Sequence, residues 1–304
     1  MDAVLTKRGG AFFVYGFGGT GKTFLWKTLS AALRKDGEIV LNVASSGIAS
    51  LLLAGDLGKL VREASLIIWD EAPMMSKYCF ESLDRSLKDV VENGHSKPFG
   101  GKVVVFGGDF RQVLPVITGG SRTEIVMATL NSSYLWDHCK VLKLTKNMRL
   151  LAKDISVEKA TKIKEFSEWI LDVGDGKIAE PNDGVAEIDI PEGMLITEAT
   201  NPIEAISKEV YGDPQFLKEK NDPKFFQARA ILAPTNEDVY QINEYMLDQM
   251  EGDERIYLSA DSLDPSDKVS KNNPIFTPDF LNSIKLSGLP HHRLRLKIGC
   301  PGIK

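Results

Sequence analysis

The residues with the clearest chemistry form a glycine-rich segment near the start of the chain, GFGGTGKT at residues 16–23. The segment fits a pattern in which backbone N–H groups turn inward around phosphate oxygens and a following helix adds a favourable dipole. Lys22 would neutralise β- and γ-phosphate charge, and the hydroxyl of Thr23 would bind Mg²⁺. The predicted nucleotide-binding residues are Gly16, Gly18, Gly19, Thr20, Gly21, Lys22 and Thr23.

Two adjacent carboxylates, Asp70 and Glu71, follow the apolar run LIIW. At the carboxyl end of a buried parallel strand they would lie beside the glycine-rich loop. Asp70 is predicted to hold Mg²⁺ through water, and Glu71 to polarise the attacking water as a general base. Such a pair alone is more typical of a solvated turn, so the preceding loop is what favours the catalytic interpretation.

Two further polar side chains, Gln112 and Arg149, follow later apolar runs. Gln112 ends the segment FGGDFRQ, and its uncharged amide is suited to sense the γ-phosphate or the attacking water. Arg149 ends the segment LTKNMR and is predicted to stabilise charge that develops on the γ-phosphate. Taken alone, they also fit a solvated turn and a surface arginine. With Lys22 and Glu71, they complete the predicted catalytic set.

Short apolar runs alternate with amphipathic stretches through the first half of the chain. The apolar runs, which predict strands, are residues 12–15, 39–43, 66–69, 103–106 and 141–144. Helical spacing is found at residues 23–34 and 80–90. This alternation predicts an α/β fold with a doubly wound, mostly parallel sheet, the architecture of P-loop NTPases.

The pattern changes after residue 149. An amphipathic helix that Gly174 ends leads into a polar stretch rich in Gly, Asp and Pro. A second α/β signal begins with a strand-like run at 230–232 and a helix over 239–250, and a further strand is predicted at 294–298. We therefore predict an ATP-binding domain at residues 1–150, a helical connector at 151–225 and an incomplete second domain at 226–304.

Composition limits the possible functions of this chain of 304 residues with 43% hydrophobic content. No apolar run approaches the roughly 20 residues of a membrane-spanning helix, and the first ten residues predict no secretory signal. The cysteines and histidines lack zinc-site spacing. A net charge of -5 argues weakly against a surface that binds nucleic acid throughout. The short basic cluster at residues 291–297 predicts either a phosphate contact or a solvated strand end.

The motifs, read in order, resemble those of the Pif1-like superfamily 1B DNA helicases, especially the branch common in plants and Helitron-type elements. The stretches that carry the resemblance are GFGGTGKTFLWKTL, SSGIASLLL, LIIWDEAPMM, FGGDFRQVLPVI and LTKNMRL. Later stretches, EFSEWILDVGDG, ARAILAPTNEDVYQIN and FLNSIKLSGLPHHRLRLKIGCP, are similar to the connector and second domain of that family. The resemblance covers nearly the whole chain.

This resemblance implies two RecA-like domains, 1A and 2A, with ATP and Mg²⁺ between them. It implies an ATP hydrolase that moves 5′ to 3′ on single-stranded or forked DNA, serves recombination, repair and telomere maintenance, and works in the nucleus. It also implies that Ser45, Ser46 and Gly47 contact the DNA backbone, a segment that fits a helix cap equally well.

Three departures from the family pattern predict a shortened member with reduced activity. An upstream glutamine element that reads adenine is missing, residues 54–65 replace a longer DNA-contacting segment, and the chain stops before the last two motifs. Two alternatives stay open, namely an ATP-binding module without unwinding activity and a P-loop small-molecule kinase. The pair Asp70 and Glu71 and the motif around Gln112 disfavour the kinase.

Overall fold

The computed structural model describes residues 1–44, 57–91, 94–148, 156–178, 187–213, 223–263, 273–284, 291–298 and 300. The chain divides into two compact units, Met1–Ile188 and Asp189–Lys304. Residues 151–225, predicted as a connector, are therefore shared between the units, and the three-part division stays a prediction. None of the described helices is both long and apolar enough to span a bilayer.

The first unit is built on a five-stranded parallel sheet with the order β2-β3-β4-β1-β5. Its strands are β1 (Gly10–Gly16), β2 (Val40–Ala44), β3 (Leu66–Asp70), β4 (Val103–Gly108) and β5 (Cys139–Leu144). Its α-helices are α1 (Asp2–Leu5), α2 (Lys22–Lys35), α3 (Leu57–Glu63), α4 (Lys77–Val90), α5 (Arg122–Met127) and α6 (Val157–Gly174). The predicted α/β fold with a parallel sheet is confirmed.

The sheet is buried most deeply at its centre. Every residue of β4 is buried, as expected of a parallel strand that is covered on both faces. Phenylalanines from β1, β4, α4 and the turn before β4 fill the core on one side, namely Phe13, Phe80, Phe99 and Phe106. Because β3, β4 and β1 are neighbours and run in the same direction, the three motifs that follow them meet at one edge of the sheet.

The second unit contains four described helices and one antiparallel strand pair. They are α7 (Pro202–Tyr211), α8 (Pro223–Gln227), α9 (Asn236–Gln249), β6 (Glu254–Leu258), α10 (Pro278–Ser283) and β7 (Arg293–Lys297). The predicted helix and final strand form, but residues 230–232 form no strand, and Leu232 is 94% exposed. A strand needs a hydrogen-bonded neighbour, and none of the described residues supplies one there.

Candidate nucleotide-binding site

The glycine-rich loop connects the end of β1 to the first turn of α2. Gly19 and Gly21 have φ angles of 89° and 91°, a left-handed conformation that glycine adopts without steric cost. Gly21 is the N-cap of α2. These two residues let the chain turn tightly into α2. The N–H groups of the first turn of α2 therefore lie at the carboxyl edge of the sheet, where a helix N-terminus can bind an anion.

Lys22 is the charged side chain at the centre of this loop. It is 8% exposed, and its Nζ donates a hydrogen bond to the carbonyl oxygen of Gly16 at 2.6 Å. The Met148 N–H donates to the Gly19 carbonyl at 2.9 Å and so ties the segment after β5 to the loop. The ammonium group is thus held inside the loop that a polyphosphate would occupy.

Asp70 and Glu71, which form the predicted Walker B pair, lie at the carboxyl end of β3. Glu71 follows the strand with φ 53° and ψ 39°, a left-handed conformation that is uncommon outside glycine and concentrates at functional sites. Burial is the main cause that raises the pKa of Glu71, against a smaller lowering effect of Lys22. The charges of Asp70 and Asp109 add to the increase. A carboxylate with a raised pKa accepts a proton more readily, as a general base must.

Asp70 is seated against the neighbouring strand beside a tryptophan of α2. A Cβ atom added to Gly107 would lie 2.3 Å from Cζ2 of Trp26 and 3.3 Å from Oδ1 of Asp70. Trp26 is 6% exposed and belongs to the core. Gly107 lies in the predicted Gln112 motif but was given no role there. Its missing side chain is what allows the indole ring and the carboxylate to approach β4.

Gln112 is carried by a turn that the buried Asp109 shapes. Asp109 is 4% exposed, and its Oδ1 accepts a hydrogen bond from the Arg111 N–H at 3.1 Å. The Gln112 N–H donates to the Asp109 carbonyl at 3.1 Å. The sequence placed Asp109 in the motif without a role. Its position after a buried strand, where a lone carboxylate must find donors, is the signal that could have identified it.

The residues available for Mg²⁺ fit its chemistry. Thr23 is exposed in the first turn of α2, next to Lys22, and Asp70 ends β3. Hydroxyl and carboxylate oxygens are the ligands that Mg²⁺ prefers. Among the described residues, no group of three or more His, Cys, Asp or Glu side chains forms another metal site.

Four predicted site residues cannot be placed. Arg149 and the predicted DNA-contacting residues Ser45, Ser46 and Gly47 lie outside the part of the chain that the structure describes. Their roles stay predictions, as do the roles assigned to the residues that are described. What the structure does bring together at one sheet edge is the glycine-rich loop, the Walker B pair and the Gln112 turn.

The basic cluster of the second unit is engaged by neighbouring acidic and carbonyl groups. Arg295 contacts carboxylate oxygens of three residues at 2.5 to 2.7 Å, namely Glu244, Asp248 and Glu254. Lys297 donates to the Met250 carbonyl at 2.8 Å. These two cations therefore hold β7 to α9 and to β6, and their contacts with neighbouring protein groups disfavour the predicted phosphate contact.

Comparisons with protein families match most of the first unit and the end of the chain. Residues 1–59 and 55–184 match the family model PIF1-like helicase. Residues 279–303 match the model DNA helicase Pif1, 2B domain. The second match falls within residues 226–304, the predicted incomplete second RecA-like domain, and the bounds of that domain stay a prediction.

Curated relatives are helicases that are much longer than the matched region. ATP-dependent DNA helicase PIF1 of Trypanosoma brucei brucei is 32% identical over 124 residues, which covers 36% of this chain and 13% of that protein. ATP-dependent DNA helicase Pif1 of a Psychrobacter species is 28% identical over 172 residues, which covers 48% of this chain and 26% of that protein. The chain thus spans about a quarter or less of these relatives.

Solved structures show the same fold. Pif1 helicase from Candida albicans superposes with a TM-score of 0.57 at 19% identity, covering 98% of this chain and 61% of that one. Bacteroides Pif1 bound to ssDNA superposes with a TM-score of 0.52 at 18% identity, covering 97% of this chain and 62% of that one. The predicted RecA-like P-loop fold is confirmed by this likeness.

Proposed function

The chain belongs to the PIF1-like helicase family, and on that ground we propose that it is an ATP-dependent DNA helicase that couples Mg²⁺-dependent ATP hydrolysis to 5′–3′ translocation on single-stranded DNA. The observation that carries the proposal is the meeting of Lys22, Asp70, Glu71 and Asp109 at the carboxyl edge of the parallel sheet, where the charges of the other three act on Glu71. This edge is where P-loop proteins bind nucleotide.

The hydrolytic step is assigned to groups of the first unit. Lys22 and the N–H groups of the glycine-rich loop stabilise the β- and γ-phosphates. Thr23 and Asp70 would hold Mg²⁺, which would neutralise phosphate charge when bound. Glu71 accepts a proton from the attacking water, Gln112 orients that water, and Arg149 stabilises the charge of the transition state.

The DNA side of the proposal depends on relatives. One similar solved structure is a Bacteroides Pif1 bound to ssDNA, and another concerns unwinding at forked dsDNA by two coordinating Pif1 helicases. We propose single-stranded or forked DNA as the partner here, with Ser45, Ser46 and Gly47 on its backbone. By the same resemblance we propose a nuclear role in recombination, repair and telomere maintenance.

A second candidate is a helicase-derived ATP-binding module that does not unwind DNA. The observation that favours it is the net charge of -5, which argues weakly against a surface that binds nucleic acid. Unwinding requires DNA contacts as well as hydrolysis, and the two candidates differ only in the former. A small-molecule kinase is disfavoured by the pair Asp70 and Glu71 together with the motif around Gln112, a combination that suits the orientation and activation of a water molecule.

Strand displacement from tailed DNA duplexes separates these candidates. We would compare partial duplexes that carry only a single-stranded 5′ tail or only a 3′ tail, with ATP and Mg²⁺, and use Lys22→Ala as the inactive control. The proposal predicts displacement of the 5′-tailed substrate only, lost in the variant. Hydrolysis of ATP without displacement of either substrate would favour the module, and displacement from the 3′ tail would refute the proposed direction.

A further inference from the structure

Arg111 connects the Gln112 turn to the end of α6. Its Nε donates to Oδ1 of Asp175 at 2.5 Å, and its Nη1 lies 3.7 Å from Oδ1 of Asp109. The Arg111 and Asp175 side chains are 22% and 28% exposed, so water screens this ion pair less than it screens a surface pair. A charge-assisted hydrogen bond in such a setting is short and directional.

Packing fixes both ends of this connection. A Cβ added to Gly174 would lie 3.0 Å from Cδ of Arg111, so the backbone at the end of α6 lies against the aliphatic part of the arginine. Arg111 also lies over the ring of Tyr15, with 5.5 Å between Cζ and the ring centroid. Asp175 is the C-cap of α6 and also contacts Nζ of Lys177 at 2.8 Å.

Arg111 lies next to the predicted sensor Gln112, so its guanidinium could contact either the nucleotide or other groups of the protein. A guanidinium beside a nucleotide site can act as an arginine finger. In this structure, however, the Nε of Arg111 is bound to Asp175, and its other contacts are to Asp109 and Tyr15. These contacts direct the guanidinium toward the end of α6.

We propose that Arg111 is a positioning residue that fixes the Gln112 turn to the end of α6 through its ion pair with Asp175. We call the Arg111–Asp175 ion pair the clamp. This inference rests on the proposed ATP hydrolysis and extends it to Arg111 and Asp175, two residues to which the sequence patterns gave no role. Arg111 and Gln112 are adjacent in the turn after Asp109, so a shift of one backbone moves the other. Since α6 is the last described helix of the first unit, the clamp ties the sensor to the part of the chain that leads to the second unit.

Kinetics test this role. Asp175→Asn keeps the shape of the side chain and removes its charge, so we expect kcat for ATP hydrolysis to fall about tenfold through misplacement of Gln112. The Kd of a fluorescent ATP analogue should not change, because the glycine-rich loop and Lys22 bind the phosphates. Glu158→Gln is the matched control, since it removes an exposed carboxylate of the same helix that pairs with Lys162.

A double variant shows whether the effect passes through the sensor. In a Gln112→Ala background, Asp175→Asn should cause no further loss of kcat. Asp175→Glu, which retains the charge, should recover most of the activity. Equal losses in both backgrounds, or a weaker Kd for the nucleotide in Asp175→Asn, would overturn the proposal.

Hydrogen exchange tests the clamp with a readout that does not depend on ATP hydrolysis. In the nucleotide-free full chain, Asp175→Asn should exchange faster than wild type in a peptide spanning residues 107–114, while Glu158→Gln should match wild type. Unchanged exchange in Asp175→Asn would refute the clamp. If the wild-type chain hydrolyses no ATP, the proposed function fails, and this exchange result still decides whether the clamp exists.

Discussion

Glu71 combines two features that are unfavourable for folding, a left-handed backbone conformation and a partly buried carboxylate. Its raised pKa means that the folded protein binds this proton more tightly than the unfolded chain does. Ionised Glu71 therefore opposes folding at neutral pH, and this cost disappears as the pH falls through the raised pKa. A residue retained at a cost to stability is typical of a functional site.

The change Glu71→Gln should accordingly separate stability from activity. We expect the melting temperature at neutral pH to rise by about 1–3 °C, because the amide carries no charge to desolvate. Turnover should fall at least about 100-fold, because the general base is lost. Differential scanning fluorimetry and steady-state hydrolysis check these outcomes. A variant that is less stable than wild type, or that keeps its turnover, contradicts this view of Glu71.

The residues that act within one short segment were predictable, and those that act across the chain were not. The patterns around Lys22 and Glu71 located them at a loop and a strand end, because both features are local in sequence, while their roles stay predictions. The partner of Arg111 is Asp175, 64 residues further along. Residue spacing carries no information about such a pair until the fold places α6 against the sheet edge.

Helix α2 and strand β4 meet at a contact that only glycine permits. Gly107→Ala would place a methyl group 2.3 Å from the Trp26 ring. We expect this overpacking to lower the free energy of unfolding by about 1–3 kcal/mol. Because the same methyl group lies near Asp70, the Mg²⁺ concentration for half-maximal hydrolysis should rise.

Urea denaturation and Mg²⁺ titration of hydrolysis measure these two effects of Gly107→Ala. Gly18→Ala is the control for stability, since a Cβ added to Gly18 meets no atom within 4 Å. An equal loss of stability in both variants would show that the contact with Trp26 is not the cause.

Helix α4 is fixed by a buried carboxylate. Asp84 is 0% exposed and accepts from the Phe99 N–H at 2.6 Å, and from Lys88 Nζ and Tyr134 Oη at 2.7 Å each. Burial opposes its ionisation, but these hydrogen bonds outweigh burial and lower its pKa. Its contribution to stability is therefore present at neutral pH and is lost as the pH falls through the lowered pKa, below the usual value of 3.8.

Asp84→Asn should lower the free energy of unfolding at pH 7 by about 2–4 kcal/mol, because donors that face a carboxylate then face an amide. The difference from wild type should shrink in strongly acidic solution. Asp89→Asn, on the exposed side of the same helix, serves as the control in urea denaturation. A similar loss in both variants would mean that the hydrogen bonds to Asp84 contribute little.

The strands were predicted correctly where each apolar run has a hydrogen-bonded neighbour in the sheet. The five strands of the first unit each have a parallel neighbour, so short apolar runs were enough to locate them. The apolar run at 230–232 has the same composition but forms no strand, because strand formation depends on pairing as well as on propensity. The pairing of β6 with β7 across 35 or more residues was likewise outside what a local pattern predicts.

In the whole molecule, unfolding of the first unit can be followed separately by tryptophan fluorescence. All four tryptophans lie in the first unit, namely Trp26, Trp69, Trp136 and Trp169. Tryptophan fluorescence therefore reports on unfolding of the unit that carries the nucleotide site. Circular dichroism reports on helices of both units.

Mg²⁺-ATP at about 100 times its Kd stabilises a protein that binds it by about 2.7 kcal/mol. We expect this to raise the fluorescence melting midpoint by about 5–10 °C. Lys22→Ala should abolish the shift, because it removes the charge that faces the phosphates. A shift that persists in Lys22→Ala would place the nucleotide elsewhere in the molecule.

The proposed motor is best tested by Mg²⁺-dependent ATP hydrolysis with and without single-stranded DNA, in wild type, Lys22→Ala and Glu71→Gln. We expect hydrolysis that DNA stimulates in wild type, no nucleotide binding in Lys22→Ala, and binding without turnover in Glu71→Gln. Nucleotide binding by wild type with no turnover, whether or not DNA is added, would contradict this expectation and leave an ATP-binding fold without a motor.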